Sequence, residues 1–387
     1  MIRRLQSLPR GPRILIFILI FAGIFLALAG GTVILILLSI NNVPRQTAQA
    51  LAEGAAVAEY AALPDNDAYP STVAVGPDGT VYTASYRTGT VWAVGPDGAA
   101  REIPNSRDRF ESVTGLAARS DGDLLAIAFT GGDDGAWAVW RVTQAGDITR
   151  FGTVDDAQGM VSPFDIALDD SGAVYVVDRS RADIWRWDAD GGSPELWWSL
   201  LTAPQSIVQM PGEPVPVFAA RPAPTGLAYD PIHNALLVAD PDLNTIVRIP
   251  LSRGASELLY AYDPALESQA FPPGFDGIAV LPDGRIVVTA LDQKGLVLLR
   301  GDGPYVGAPP SYVAGNFRGP SDVAALPDGR VVVANFDSLA GAGAAGGAST
   351  APLRPRRGHA ALKEVMSCQG SVVSCQLSGG GKQRSEG

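Results

Sequence analysis

The stretch GPSDVAALPDGRVVVANFD, Gly319 to Asp337, decides the fold, because the chain writes it several times. Two apolar runs, Val323 to Leu326 and Val331 to Ala334, flank a Pro-Asp-Gly turn. Gly329 supplies the positive φ that a tight turn between strands needs, and Pro327 presets the way into it. The unit recurs as TVAVGPDGTVYTAS (Thr72 to Ser85), DIALDDSGAVYVVD (Asp165 to Asp178) and GIAVLPDGRIVVTA (Gly277 to Ala290). Looser copies are GLAARSDGDLLAIA (Gly115 to Ala128) and GLAYDPIHNALLVAD (Gly226 to Asp240). Copies spaced by roughly 45 to 60 residues are the mark of a repeat architecture.

Each copy is trailed by a further apolar run, such as GTVWAVGPDG (Gly89 to Gly98), GAWAVWRV (Gly135 to Val142), ADIWRWDADGG (Ala182 to Gly192) or NTIVRIPLSRG (Asn244 to Gly254). A weaker fourth run follows in most of them. Four short strands per repeat predict an all-β fold, a six-bladed β-propeller, over residues 63–340. A β-solenoid is the structural alternative, although its repeats are shorter and carry fewer strands. The last copy stops after its second strand, which leaves the last blade incomplete. The segment around Ala55 to Ala62, in the linker 41–62, offers one closing strand. Residues 341–387, rich in Gly and Ala at first and holding both cysteines, Cys368 and Cys375, read as a disordered tail.

Ahead of the repeats, residues 1–13 carry Arg3, Arg4, Arg10 and Arg13 and no acidic residue. Residues 14–40 are then free of charge, and as a helix would be about 40 Å long, more than the roughly 30 Å of a hydrocarbon core. This predicts one transmembrane helix with a cytoplasmic N-terminus and an extracytoplasmic propeller at the cell membrane. A cleaved signal peptide is the competing reading, with Ala48-Gln49-Ala50 as its small-residue site. A net charge of −11 argues against a nucleic-acid partner. Two cysteines near the C-terminus provide neither a disulfide framework nor a zinc set for the main body.

The units PTGLAYDPIHNALLVADPDLNTIVRIPL (Pro224 to Leu251) and GFDGIAVLPDGRIVVTAL (Gly274 to Leu291) resemble blades of the gluconolactonase, regucalcin and strictosidine-synthase-like propellers. The phrase VADPDLNTIVRI also resembles NHL repeats, and an anchor ahead of the propeller resembles membrane-associated strictosidine-synthase-like members. The resemblance covers about Tyr69 to Asp337. It implies a calcium ion in the channel of the lactonase branch, and Asp276 of FDG matches that branch's aspartate. Thr225 and Phe164 stand where that branch has asparagines, Asp165 follows Phe164 as its partner does, and Glu111 is the candidate for the early glutamate. Ser321 and Asp322 occupy the stretch matching the catalytic glutamate of strictosidine synthase. These departures count against both activities.

Asp165, Asp276 and Asp322 begin the first strand of three repeats, so they are the candidate metal ligands, and oxygen donors of this kind suit calcium or magnesium. The competing reading is that each carboxylate accepts backbone N–H groups at the start of its strand. Asp178, Asp240 and Asn335 close the second strand, where organising the next turn is the simpler role. The only histidines are His233 and His359, which gives no support to a histidine base beside a serine nucleophile. The tryptophans of the third strands suit packing between blades. Two functions follow: a noncatalytic module that binds a small-molecule or protein ligand at a propeller face, or a calcium-dependent hydrolase of lactones or esters.

Overall fold

The computed structural model describes residues 19, 21–26, 28–32, 47–64, 69–131, 135–152, 160–201, 205–206, 221–263, 272–301, 311–336 and 371–376. The chain divides into two units, Met1–Gln46 with Lys363–Met366, and Thr47–Leu362 with Ser367–Gly387. In the first unit the described residues 19, 21–26 and 28–32 are helical, and Phe21, Phe25 and Leu28 are exposed. Among the described residues no helix is long and apolar enough to cross a membrane. Much of the expected span 14–40 lies outside the described residues.

The second unit is all-β. Its first two strands, β1 (Gln49–Ala50) and β2 (Ala56–Ala62), join sheets formed later in the chain. A first sheet then takes β3 (Pro70–Val75), β4 (Val81–Ser85), β5 (Val91–Val94) and β6 (Ala100–Glu102) in that order. The second holds β7 (Ser112–Ala118), β8 (Leu124–Phe129), β9 (Trp137–Val142) and β10 (Ile148–Arg150). The third holds β11 (Pro163–Leu168), β12 (Val174–Asp178), β13 (Asp183–Asp188) and β14 (Gly191–Ser199). In the fourth, β15 (Gln205–Ser206) lies outside β19 (Ser256–Ala261), followed inward by β18 (Thr245–Pro250), β17 (Ala235–Asp240) and β16 (Gly226–Asp230). The fifth runs inward from β1 through β23 (Ser311–Gly315), β22 (Gly295–Leu299) and β21 (Ile286–Ala290) to β20 (Phe275–Val280). The sixth has the order β2, β26 (Ser371–Gln376), β25 (Val331–Asn335), β24 (Pro320–Ala325).

The inner strands β3, β7, β11, β16, β20 and β24 pack each against the next, and β24 packs against β3. This is a β-propeller. Five sheets take their four main strands from one consecutive stretch, and the sixth draws on both ends of the second unit.

The repeat explains the ring. After the residue that begins each core unit come one branched aliphatic residue and then alanine: Val73-Ala74, Leu116-Ala117, Ile166-Ala167, Leu227-Ala228, Ile278-Ala279 and Val323-Ala324. Side chains alternate faces along a strand, so each alanine meets one neighbouring sheet and each aliphatic residue the other. Ala74 shares a core cluster with Leu116, Ala117 with Ile166, and Ala167 with Leu227. Ala228 packs with Ile278, Ala279 with Val323, and Ala324 with Val73, which closes the circuit. Sheets converge toward the axis, and a small residue facing a large one fills the narrowing gap without overpacking.

At the other end of the strand the Pro-Asp-Gly turns form as the sequence predicts. Asp78, Asp283 and Asp328 accept the N–H two residues on, at 3.0–3.1 Å. Gly79, Gly284 and Gly329 take φ of 81°, 84° and 83°.

The tail departs from expectation. Ser371–Gln376 is a strand, not disordered chain: it pairs with both β25 and β2, and Val372 and Cys375 are fully buried. The sixth sheet therefore has its four strands, with the expected closing strand β2 outermost. Cys375 packs with Val331, Val333 and Val57. Cys375→Asp is expected to bury an unpaired charge in this sheet and cost about 3 kcal/mol or more, read by chemical denaturation. A neutral outcome would mean that β26 does not occupy the sheet.

Candidate functional site

The inner strands carry a second regularity at the residue that begins each unit: Thr72, Gly115, Asp165, Gly226, Gly277 and Asp322. In β3, β7, β11, β20 and β24 the pairing register slips at this point. A bulge leaves backbone groups outside the ladder, and a buried N–H without a partner is costly. The neighbouring sheet supplies the partner, at the slips of β3 and β7 and also on the open edge of β16, which keeps its register. Asp322 Oδ2 accepts the Val73 N–H at 2.8 Å, Thr72 Oγ1 accepts the Leu116 N–H at 3.0 Å, and Asp165 Oδ2 accepts the Leu227 N–H at 2.8 Å. Thr72 also donates to Asp322 Oδ2 at 3.0 Å, which links three sheets in one chain of bonds. Glycine fills the position where the next sheet comes too close for a side chain: a Cβ on Gly226 would lie 1.9 Å from the Asp276 carbonyl oxygen.

The residue before is a hydroxyl in four units. Ser71 donates to the Val113 carbonyl at 2.7 Å, Thr114 to Pro163 at 3.1 Å and Ser321 to Pro70 at 3.1 Å, each on the next sheet. Thr225 belongs to the same set, but its buried Oγ1 makes no hydrogen bond. It lies beside the Asp276 carboxyl, whose pKa it lowers, with geometry short of a bond. The other two units put Phe164 and Asp276 here.

The three predicted aspartates are thus near one another on the inner strands: Asp322 and Asp276 act electrostatically on Asp165, and Asp276 acts on Asp322. Burial pushes the Asp165 carboxyl well up, and the Asp322 charge adds to this. Burial raises Asp322 to about 7 and Asp276 to about 6. Arg179 tempers Asp276; it pairs with Asp242 at 3.1 Å and lies over the Phe164 ring. The residues do not fit calcium. Asp165 Oδ1 accepts the Ile166 N–H and Asp322 Oδ1 accepts the Val323 N–H, so all four oxygens of these two carboxyls hold backbone donors. Among the described residues no three Asp, Glu, His or Cys side chains are grouped to hold a metal. Calcium asks for six to eight oxygens. Glu111 is exposed, with its carboxylate against Gly131.

Asp178, Asp240 and Asn335 organise turns. Asp178 accepts the N–H groups of Val161, Ser180 and Arg181, and Asp240 those of Ala223, Asp242 and Leu243. Asn335 accepts from Arg318 at 2.7 Å. His233 bonds the buried Asp230 at 2.7 Å, within a network that includes Arg248 and Glu257. Sequence reasoning singled out neither Thr72 nor the hydroxyl column. Both would follow from stacking the six copies in register and reading the columns down.

A cavity of about 610 Å³ occupies the channel between the bulges and the Pro-Asp-Gly turns, lined by all six inner strands. Asp165 and Asp322 line it; Arg119, Tyr229 and four turn prolines, Pro77, Pro231, Pro282 and Pro327, stand toward the turns.

No protein-family model matches this chain, and no curated protein does. Solved structures do resemble it. A putative gluconolactonase shares 17% identity with a TM-score of 0.54 over 84% of this chain and 93% of its own. A gluconolactonase of Xanthomonas campestris shares 15% with a TM-score of 0.53, covering 76% of this chain and 92% of its own. Catalytically inactive virginiamycin B lyase of Staphylococcus aureus, solved with quinupristin, shares 15% with a TM-score of 0.51 over 84% of this chain and all of its own (100%). At such identities the likeness is one of fold, and the class it defines is the β-propeller.

Because Asp276 binds its proton more tightly folded than unfolded, its contribution to stability falls as pH rises from about 4 to about 6 and is level above. Asp276→Asn removes this penalty. Its advantage over the native chain is expected to grow across that window to on the order of 3 kcal/mol, measured by denaturation from pH 4 to 8. Thr72→Val, which orphans the Leu116 N–H and removes a donor from Asp322, is expected to cost about 1–3 kcal/mol below pH 7 and more above it, as Asp322 ionises, in the same assay.

Proposed function

We propose that this chain is a six-bladed propeller that acts as a binding module, taking a small-molecule or protein ligand at its central channel. Six seams of alanine against aliphatic side chain support the count of six blades. The arginines of residues 1–13 and the uncharged run 14–40 support a single-pass anchor, with the N-terminus cytoplasmic and the propeller extracytoplasmic. The observation that carries the binding reading is the commitment of Asp165 and Asp322 to backbone N–H groups around a cavity of ligand size. Carboxylates used in this way hold sheets together, and among the described residues no group of three side chains is set to hold a metal for hydrolysis.

The alternative is a metal-dependent hydrolase of lactones or esters. One observation favours it: Asp276, with its carboxyl at about 6, has the range of a general base near neutral pH. A thermal melt of the full chain in detergent with calcium or with chelator separates the two. The binding module is expected to melt at the same temperature in both, with no hydrolysis of δ-gluconolactone or an aryl acetate above buffer. A calcium-dependent rise in melting temperature, lost in Asp276→Ala and accompanied by hydrolysis, would overturn it.

A further inference from the structure

The cavity has two unlike ends. Toward the bulges its lining residues are buried, Asp165 and Asp322 among them. Toward the turns they are exposed: Pro77, Pro231, Ile232, Pro282 and Pro327 line the cavity and also stand in solvent. The cavity therefore opens at the turns. Just inside, Val75, Leu168 and Val280 are half-buried along its wall. Ile232, at 57% exposure, is a large apolar side chain left in water on the rim, and the turn prolines bring no N–H to it. An exposed apolar opening of this kind marks a place for an apolar occupant.

Negative charge surrounds the opening. Five of the six turns place an exposed aspartate beside it, Asp78, Asp121, Asp170, Asp283 and Asp328, and the turn of the fourth sheet places Ile232 there. Three of these acids are shared with arginines: Asp121 with Arg119 and Arg141, Asp283 with Arg285, Asp328 with Arg330. Asp78 and Asp170 have no arginine or lysine partner among the described residues; they hold Thr80 and the Tyr229 hydroxyl. The hydrogen bonds from Thr80 keep the Asp78 carboxyl below its usual range, so it is charged at neutral pH. The chain as a whole carries a net charge of −11.

The apolar wall and the acids lie at different depths. The acids stand on the tips of turns from different sheets, outside the cavity. A molecule small enough to lie within meets the walls alone, whereas a chain crossing the turns meets both. The backbone of the turns leaves such a chain little to bind, because the N–H two residues beyond Asp78, Asp283 and Asp328 already belongs to the aspartate. Recognition falls to side chains: an apolar one for the cavity and cationic ones for the rim.

We propose that the turn-side opening docks a protein partner, through a segment that carries an apolar side chain into the cavity between arginine or lysine residues held by the turn aspartates. This rests on the binding-module reading and names its ligand as a protein.

The probe is a heptapeptide, acetylated and amidated, with leucine at its centre between glycines and two arginines at each end. Its controls put glycine for the leucine, or glutamates for the arginines. Calorimetric titration of the full chain in phosphatidylcholine nanodiscs at neutral pH is expected to show one leucine peptide bound per chain. It should bind about tenfold tighter than the glycine peptide, as burial of one leucine implies. The glutamate peptide should bind at least about tenfold more weakly, and added salt should narrow that gap. Ala325→Leu, which fills the opening, should remove the preference for leucine. Asp78→Asn combined with Asp170→Asn should reduce the preference for arginine and leave that for leucine. Should Ala325→Leu fail to melt cooperatively, Ile232→Ser at its exposed position decides, and is expected to weaken the leucine peptide but not the glycine peptide. Equal binding of the leucine and glycine peptides, or of the arginine and glutamate peptides, would sink the proposal. So would binding that neither Ala325→Leu nor Ile232→Ser changes, or no binding of any peptide up to about 1 mM. If cyclohexylmethanol then binds the native chain but not Ala325→Leu, the cavity takes small molecules and the binding module stands without the protein partner. Calcium-dependent hydrolysis would overturn the module itself.

Discussion

The structure depends on what happens where two sheets meet beside the axis. There the space is narrow and an inner strand has lost its regular ladder, so two problems coincide: side chains must not collide, and a freed N–H must find a partner. The repeat answers both within three consecutive residues. An acceptor or a glycine comes first, then a branched aliphatic side chain for one neighbour, then an alanine for the other. The Asp322-to-Val73 bond and the Ala324-to-Val73 packing show the same solution at the seam that joins the two ends of the chain.

This changes the meaning of the aspartates. From the sequence, Asp165 and Asp322 look like ligands because they recur at the start of a strand. In the structure they are first of all the means by which one sheet holds the next, and threonine does the same at Thr72. The likeness to gluconolactonases and to virginiamycin B lyase is therefore a likeness of scaffold. Thr225 and Phe164 show how far the local chemistry has moved: one is a buried hydroxyl without a hydrogen bond, the other a ring beneath an arginine.

Most of the fold was legible because its signals are local. A Pro-Asp-Gly turn declares itself in four residues, and alternation over five or six residues declares a strand, so five sheets could be read directly. β26 could not. SVVSCQ has three polar residues in six and becomes a strand only between β25 and β2, the second of which lies about 310 residues away. The site was half legible for a related reason. Columns of Asp, Thr and Gly are visible in the sequence, but the freed N–H groups they serve belong to every residue alike. Only pairing says which N–H needs an acceptor: a register slip leaves Val73 and Leu116 without one, and the open edge of β16 leaves Leu227.

The make-up of the sixth sheet also sets an order on how the protein comes into being. A chain emerges from the ribosome at about 5–20 residues per second, so β2 is made roughly 15–60 s before β26 exists. The first five sheets can assemble in the order of synthesis, each finding its strands close behind. β2 has no β26 to pair with through all that time, and the sheet it will finish does not exist until last. The ring is fastened by a clasp whose two strands are made about 310 residues apart.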